Sequence, residues 1–174
     1  MSILLVSGSP RPTGHTISAV RVLARQLEAA GLETEIIDLA AEEFPVFRGE
    51  PVPAIALEWR ERVRASEALI LASPEYHGGM SGAIKMFLDY LTFDEIRDRP
   101  VGLMGVSQGP LGGTRPVLQM QQVVTTLWGR VVGPTLAVPN VKEAFDESGG
   151  FRDESMQRFL PIFVARLQEA IGAK

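Results

Sequence analysis

Apolar residues along this chain fall into two alternating patterns: short unbroken runs, and longer stripes at three- and four-residue spacing. Ile3-Leu4-Leu5-Val6 opens the first kind, the mark of a strand buried on both faces. Ile17, Val20, Leu23, Ala24, Leu27 and Ala30 open the second, one face of a helix that Gly31 is placed to end. Leu32 to Leu39 alternates only in part and predicts a strand with one more exposed flank, at a sheet edge. Ile55 to Arg64 predicts a short helix, and Ala68 to Ala72 a central buried strand. Ile84, Phe87, Leu88 and Leu91 mark another helix, Val101 to Val106 another strand. Val117, Met120, Val124 and Leu127 make a further helical stripe before a last strand, Val131 to Val138. Met156, Phe159, Leu160, Phe163, Val164, Leu167 and Ile171 share one face of a final helix, where Pro161 predicts a kink.

Strands alternating with helices imply a parallel sheet with helices on both faces, an α/β architecture. The Pro-rich connection from about Ala40 to Pro53 is long for a compact domain. Phe44, Val46 and Phe47 predict that part of it packs down. At 174 residues the chain reads as a single domain, 1–174, long enough to bury a full core.

Composition narrows the chemistry. A formal charge of −4 leaves no electrostatic footprint for nucleic acid or acidic lipid. Cys is absent, which removes disulfides, thiolate metal sites and a cysteine nucleophile. The two histidines, His15 and His77, are far apart, so a zinc cluster is not expected. The chain enters its first strand at once, with no leader pattern and no apolar run near the roughly 20 residues of a membrane span. The expectation is a soluble cytoplasmic protein.

The candidate chemistry sits in three turns rich in Gly, Ser and Pro, following the first, third and fourth strands. In open α/β sheets ligands lie outside the carboxyl ends of the strands, so these turns define one pocket. The first, Ser7-Gly8-Ser9-Pro10-Arg11-Pro12-Thr13-Gly14-His15-Thr16, joins a buried strand to a helix start. Such a turn aims unpaired N–H groups and the positive end of the helix dipole at an anion. Hydroxyls and the forked Arg11 cation suit phosphate oxygens. There is no G-x-x-x-x-G-K-[ST] and no G-x-G-x-x-G, which leaves a terminal phosphomonoester as the better fit. A turn with ordinary caps and no ligand is the alternative.

The motifs Gly8-Ser9-Pro10-Arg11 with Thr16, Ser73 through Lys85 with Asp89, and Ser107-Gln108-Gly109 through Gly113 resemble the NADPH-dependent FMN reductase family. This flavodoxin-like group includes bacterial azoreductases and quinone or chromate reductases. The resemblance runs from the N-terminus to about Gly113, and its most specific part is Pro74-Glu75-Tyr76 followed by a small-residue turn and Ser81-Gly82-x-x-Lys85. It implies a flavodoxin-like three-layer sandwich with a five-stranded parallel sheet in the order 2-1-3-4-5, and FMN across the three turns. Ser9, Arg11 and Thr16 would hold the phosphate, within the turn that also carries Thr13, Gly14 and His15. Pro74, Glu75, Tyr76, His77 and Gly78 would line the isoalloxazine, and Ser107, Gln108 and Gly109 the other side. Many members carry Asn where His77 stands.

Several of these residues have simpler readings. Glu75 is expected to satisfy turn amides or a partner subunit, and Tyr76 to plate the pocket mouth or stack on a ring. Lys85 and Asp89, at i and i+4, predict an intrahelical ion pair. Arg115 could meet the 2′-phosphate of NADPH or be a solvated residue at a helix start.

The function implied is an FMN-dependent NAD(P)H oxidoreductase. It would pass hydride from NADPH through flavin N5 to a small acceptor (quinone, azo compound, metal oxyanion or free flavin) by ping-pong kinetics. A flavodoxin-like electron carrier or redox sensor without turnover is the rival, and a phosphomonoester-binding domain with another ligand a third. Oligomers are expected from the wide apolar girth of the helix bearing Ile84, Met86, Phe87, Leu88 and Leu91, and the resemblance implies a homodimer or homotetramer.

Overall fold

The computed structural model describes residues 2–43, 45–147 and 149–173. Strand β1 (Ser2–Ser7) pairs in parallel with β2 (Glu33–Asp38) on one side and β3 (Ala68–Tyr76) on the other. It is therefore a central strand, and with helices packed on both faces of the sheet Ile3, Leu4, Leu5 and Val6 are wholly buried. Beyond β3 lie β5 (Pro100–Val106) and β6 (Arg130–Val138). The long strands run β2-β1-β3-β5-β6, which in chain order is the expected 2-1-3-4-5 arrangement.

The added strand is β4 (Gly79–Met80), which pairs antiparallel with the end of β3. It was not expected, and β3 itself runs on past Ala72 to Tyr76. Ser73 and Pro74 stay extended because β5 pairs with them as far as Val106, and Glu75 and Tyr76 because β4 pairs with them. The second turn is thus a hairpin whose corner is His77-Gly78. Both residues have positive φ, 51° and 79°, the pattern of a type I′ corner that matches strand twist.

Alternate residues of each strand feed opposite cores. Ile3, Leu5, Ile70 and Met104 meet α1 (His15–Ala29) and α6 (Glu154–Gly172). Leu4, Val6, Leu71 and Leu103 meet α2 (Ala54–Ala65), α3 (Gly82–Asp89) and α5 (Thr114–Thr126). Helix α1 ends as its sequence predicts: Gly31 N–H donates to Glu28 O at 2.9 Å and Leu32 N–H to Leu27 O at 3.0 Å. Ala30, expected on the inner face, is exposed beyond that last turn. Helix α6 continues unbroken through Pro161, which lies on its exposed side. The short α4 (Phe93–Ile96) was not expected; a Thr92–Glu95 capping box holds it. Pro134 lies on edge strand β6, where the β5–β6 register shifts between Gly102 and Met104.

The 40–53 connection covers something after all. Pro45 O accepts from the Tyr90 hydroxyl at 3.1 Å, and the Phe47 ring meets Tyr90 edge-on at 5.2 Å. Val46 points outward, and Phe44 lies outside the described residues. Among the described residues no helix is long and apolar enough to cross a membrane.

Candidate functional site

A cavity of about 560 Å³ opens where β1, β3 and β5 end. The three turns line it together: Ser9, Arg11, Thr13, Gly14, His15 and Thr16 from the first, Pro74 to Gly78 from the second, Ser107, Gln108 and Gly109 from the third. Every residue expected to touch FMN lines this one space. Three others join them: Val106 at the end of β5, and Val141 and Lys142 after β6. The last strand's carboxyl end opens on the same crevice, so the position rule for α/β sheets was the one available pointer to Val141 and Lys142. No motif marks them.

The first turn is built to present donors. Arg11 N–H donates to Ser9 Oγ at 3.2 Å, and Gly14 N–H to Arg11 O at 2.9 Å, which curls the chain into the start of α1. Ser9 and Thr16 are buried, Arg11 and Thr13 exposed. Gly14, at the N-cap, supplies no side-chain acceptor, and the first turn of α1 carries no acidic residue. In α3 and α6, by contrast, Ser81 and Asp153 accept from helix N–H groups. Helix α1 therefore keeps its first-turn donors and its positive dipole end for whatever enters the cavity.

The second turn is held from several sides. Ser73 Oγ accepts from Ser81 N–H at 3.0 Å and donates to Pro74 O at 2.9 Å. Glu75 does not satisfy turn amides; its Oε1 accepts from Arg115 Nη1 at 2.7 Å. Arg115 is thus an ion-pair partner, neither simply solvated nor among the cavity-lining residues. Tyr76 is half-buried at the wall, and His77 is exposed at the hairpin corner. Lys85 and Asp89 form the expected i,i+4 ion pair at 2.5 Å, outside this cavity.

The third turn depends on a close approach. A Cβ at Gly113 would stand 2.5 Å from the Val106 nitrogen, and one at Gly105 would stand 2.0 Å from Gly113 O. Gly113 also has φ +78°, so a side chain there would be strained as well as crowded. This contact seats the start of α5, and with it Arg115, beside the hairpin.

The fold and site define a class: a flavodoxin-like sheet with a donor-rich first turn and a cavity spanning its switch point. The chain belongs to the NADPH-dependent FMN reductase family, whose pattern matches residues 1–143. It is 32% identical over 136 residues to an NADPH azoreductase of Bacillus sp. (strain OY1-2), covering 76% of this chain and 73% of that one. To an FMN-dependent NADPH-azoreductase of Staphylococcus aureus (strain USA300) it is 30% identical over 176 residues, covering 96% and 93%. Among solved structures it superposes on FerB, a flavoenzyme NAD(P)H:(acceptor) oxidoreductase of Paracoccus denitrificans, with TM-score 0.84. That match has 20% identity and covers 99% of this chain and 97% of the other. The protein is accordingly an enzyme, a flavin oxidoreductase with FMN as cofactor and NADPH as reductant.

The cavity suits that cofactor. Uncapped donors, hydroxyls and Arg11 at one end would suit a phosphate, and the hairpin lies at the other. Its volume falls in the range of small-molecule sites.

Proposed function

We propose that the FMN phosphate lies at the start of α1, held by Ser9, Arg11, Thr13 and Thr16, with the isoalloxazine along Pro74 to Gly78. Ser107, Gln108 and Gly109 then close the opposite wall, with Lys142 adding a cation at the rim. The uncapped, acid-free N-terminus of α1 opening on this cavity carries the reading. Bound there, FMN would supply the hydride chemistry, from NADPH through N5 to a second substrate. The chain's own part is to bind, orient and tune. Backbone N–H groups along the hairpin stabilise negative charge developing on the ring edge, and Tyr76 covers the mouth.

One cavity serving both substrates implies that the nicotinamide leaves before the acceptor enters, so the kinetics are ping-pong. The acceptor is a small oxidised molecule: a quinone, azo compound, metal oxyanion or free flavin. The names of the relatives favour an azo compound. We place the enzyme in the cytoplasm, with residues 1–174 working as a single FMN-binding domain.

The proposal extends to a homodimer or homotetramer. A groove of about 610 Å³ between α3 and α5 is lined by Met80, Leu88, Leu91, Val123 and Leu127, with the Lys85–Asp89 pair at its side. A second copy of this surface covers it, and Asp89 lies where it can reach the partner. Sedimentation showing a fully active monomer would remove this part.

Anaerobic stopped-flow mixing of the FMN-loaded protein with NADPH tests the main reading. Rapid bleaching near 450 nm (approximately the flavin band) is expected, followed by recovery on adding acceptor and parallel double-reciprocal lines at steady state. A protein that stays colourless in excess FMN, or lines that intersect, would contradict it.

A further inference from the structure

Arg115 and Gln119 stand one helical turn apart on α5 and face the same way. Each grips one limb of the β3–β4 hairpin. Arg115 Nη1 donates to Glu75 Oε1 at 2.7 Å, and its Cδ lies 3.7 Å from where a Gly78 Cβ would stand, so the stem crosses the corner. Gln119 Oε1 accepts from Met80 N–H at 2.8 Å. Its amide also packs against Gly79, where a Cβ would stand 3.0 Å from Oε1.

The ion pair is lopsided. The Arg115 side chain is 56% exposed but that of Glu75 only 10%, and Glu75 Oε2 is buried without a hydrogen-bond partner. A carboxylate nine-tenths out of water that rests on one cation is left uncompensated when the cation goes. An outward turn of the hairpin rehydrates it.

We propose that Arg115 and Gln119 are positioning residues, a clamp from α5 that holds the Glu75–Met80 hairpin as one rigid wall of the cavity. Through it they set both the grip on the flavin ring and its reduction potential. The inference rests on FMN occupying this cavity, and it concerns residues that the cavity itself does not include, since neither Arg115 nor Gln119 lines it. Arg115 can be replaced without disturbing a core, because it lies outside one.

The test uses the full-length protein loaded with FMN, and compares Arg115→Met, Glu75→Ala, the double variant, Arg115→Lys and Gln119→Ala. Arg115→Met keeps most of the stem over Gly78 and removes only the charged fork. FMN affinity is read by fluorescence quenching, potential by redox titration, and hairpin order by amide exchange of residues 76–80. Each single loss is expected to weaken FMN about tenfold, the double no more than either alone, as for two ends of one contact. Amide exchange across the hairpin should rise, and Arg115→Lys should restore most of the affinity through the single contact a lysine can make.

The potential separates a clamp from a bare charge. If donors along the hairpin lose alignment, both Arg115→Met and Glu75→Ala disfavour the more negative redox state and shift the potential downward. A tenfold difference between the two states corresponds to about 30 mV for two electrons. A field effect alone would move the two variants in opposite directions. Opposite signs, or unchanged affinity in Arg115→Met, overturn the clamp and leave the FMN assignment standing. An unsubstituted protein that takes up no FMN overturns both.

Discussion

The hydroxyl of Ser81 donates to the carbonyl of Gly8, 73 positions earlier, while accepting from Ile84 N–H at 3.1 Å. One buried side chain thereby caps α3 and fastens the first turn to the end of the hairpin. Removing it leaves a helix end uncapped, worth about 1 kcal/mol, and a buried carbonyl unpaired, worth about 1–3 kcal/mol. Ser81→Ala should lower unfolding stability by about 2–4 kcal/mol in urea melts of the apoprotein, and weaken FMN binding as the two turns part. Ser81→Thr, which keeps the hydroxyl, should lose less.

Arg11 is exposed at the first turn, and the proposed site gives its side chain only the FMN phosphate to hold. A charge-assisted hydrogen bond contributes about 1.5–3 kcal/mol, or roughly 10–150-fold in affinity. Arg11→Ala should weaken FMN by that factor in calorimetric titrations, while riboflavin, which lacks the phosphate, binds as before. Equal losses for both ligands would place the phosphate elsewhere.

Gly113 combines φ +78° with no room for a methyl group. The backbone term alone is about 1–2 kcal/mol, and the overlap with the Val106 nitrogen adds to it. Gly113→Ala should cost more than about 3 kcal/mol by denaturant melts. Because it unseats the start of α5, it should also accelerate amide exchange in the β3–β4 hairpin.

Asp153 caps α6. Its Oδ1 accepts from the Ser155 hydroxyl and from Met156 N–H, the latter at 2.9 Å. The Ser155 bond first, then the Met156 bond, hold its pKa below the ordinary value. A carboxyl depressed in the folded state contributes stability that is fully present above the unfolded pKa, about 3.9. It is lost as pH falls through the lower, folded pKa. Asp153→Ala should therefore cost about 0.5–1 kcal/mol at neutral pH, the value of a partly solvated cap. In melts taken at successively lower pH the gap to wild type should close below about pH 4.

Much of this was legible in the chain because it is local. The run Ile3 to Val6, the stripe from Ile17 to Leu27 and the donor-rich turn between them each need only neighbouring residues to declare themselves. The three turns were predicted to converge because strand carboxyl ends share one side of a parallel sheet. The extension of β3 was not legible: Ser73-Pro74-Glu75 has no strand pattern, and stays extended only because β5 and β4 pair with it. Helix α4 was missed although Thr92-x-x-Glu95 spells a capping box, since four residues show no periodicity.

The sequence by itself determined the alternation of strands and helices and which turns would share one side of the sheet, because spacing along a chain sets the face a side chain takes. The sheet order and the particular site residues came with the family resemblance. The tertiary structure alone decided that Arg115 meets Glu75, 40 positions away, and that Lys142 comes to the rim. Such contacts depend on how α5 and the loop after β6 settle against the sheet. That position comes from close approaches such as Gly105 on Gly113, which no periodicity encodes.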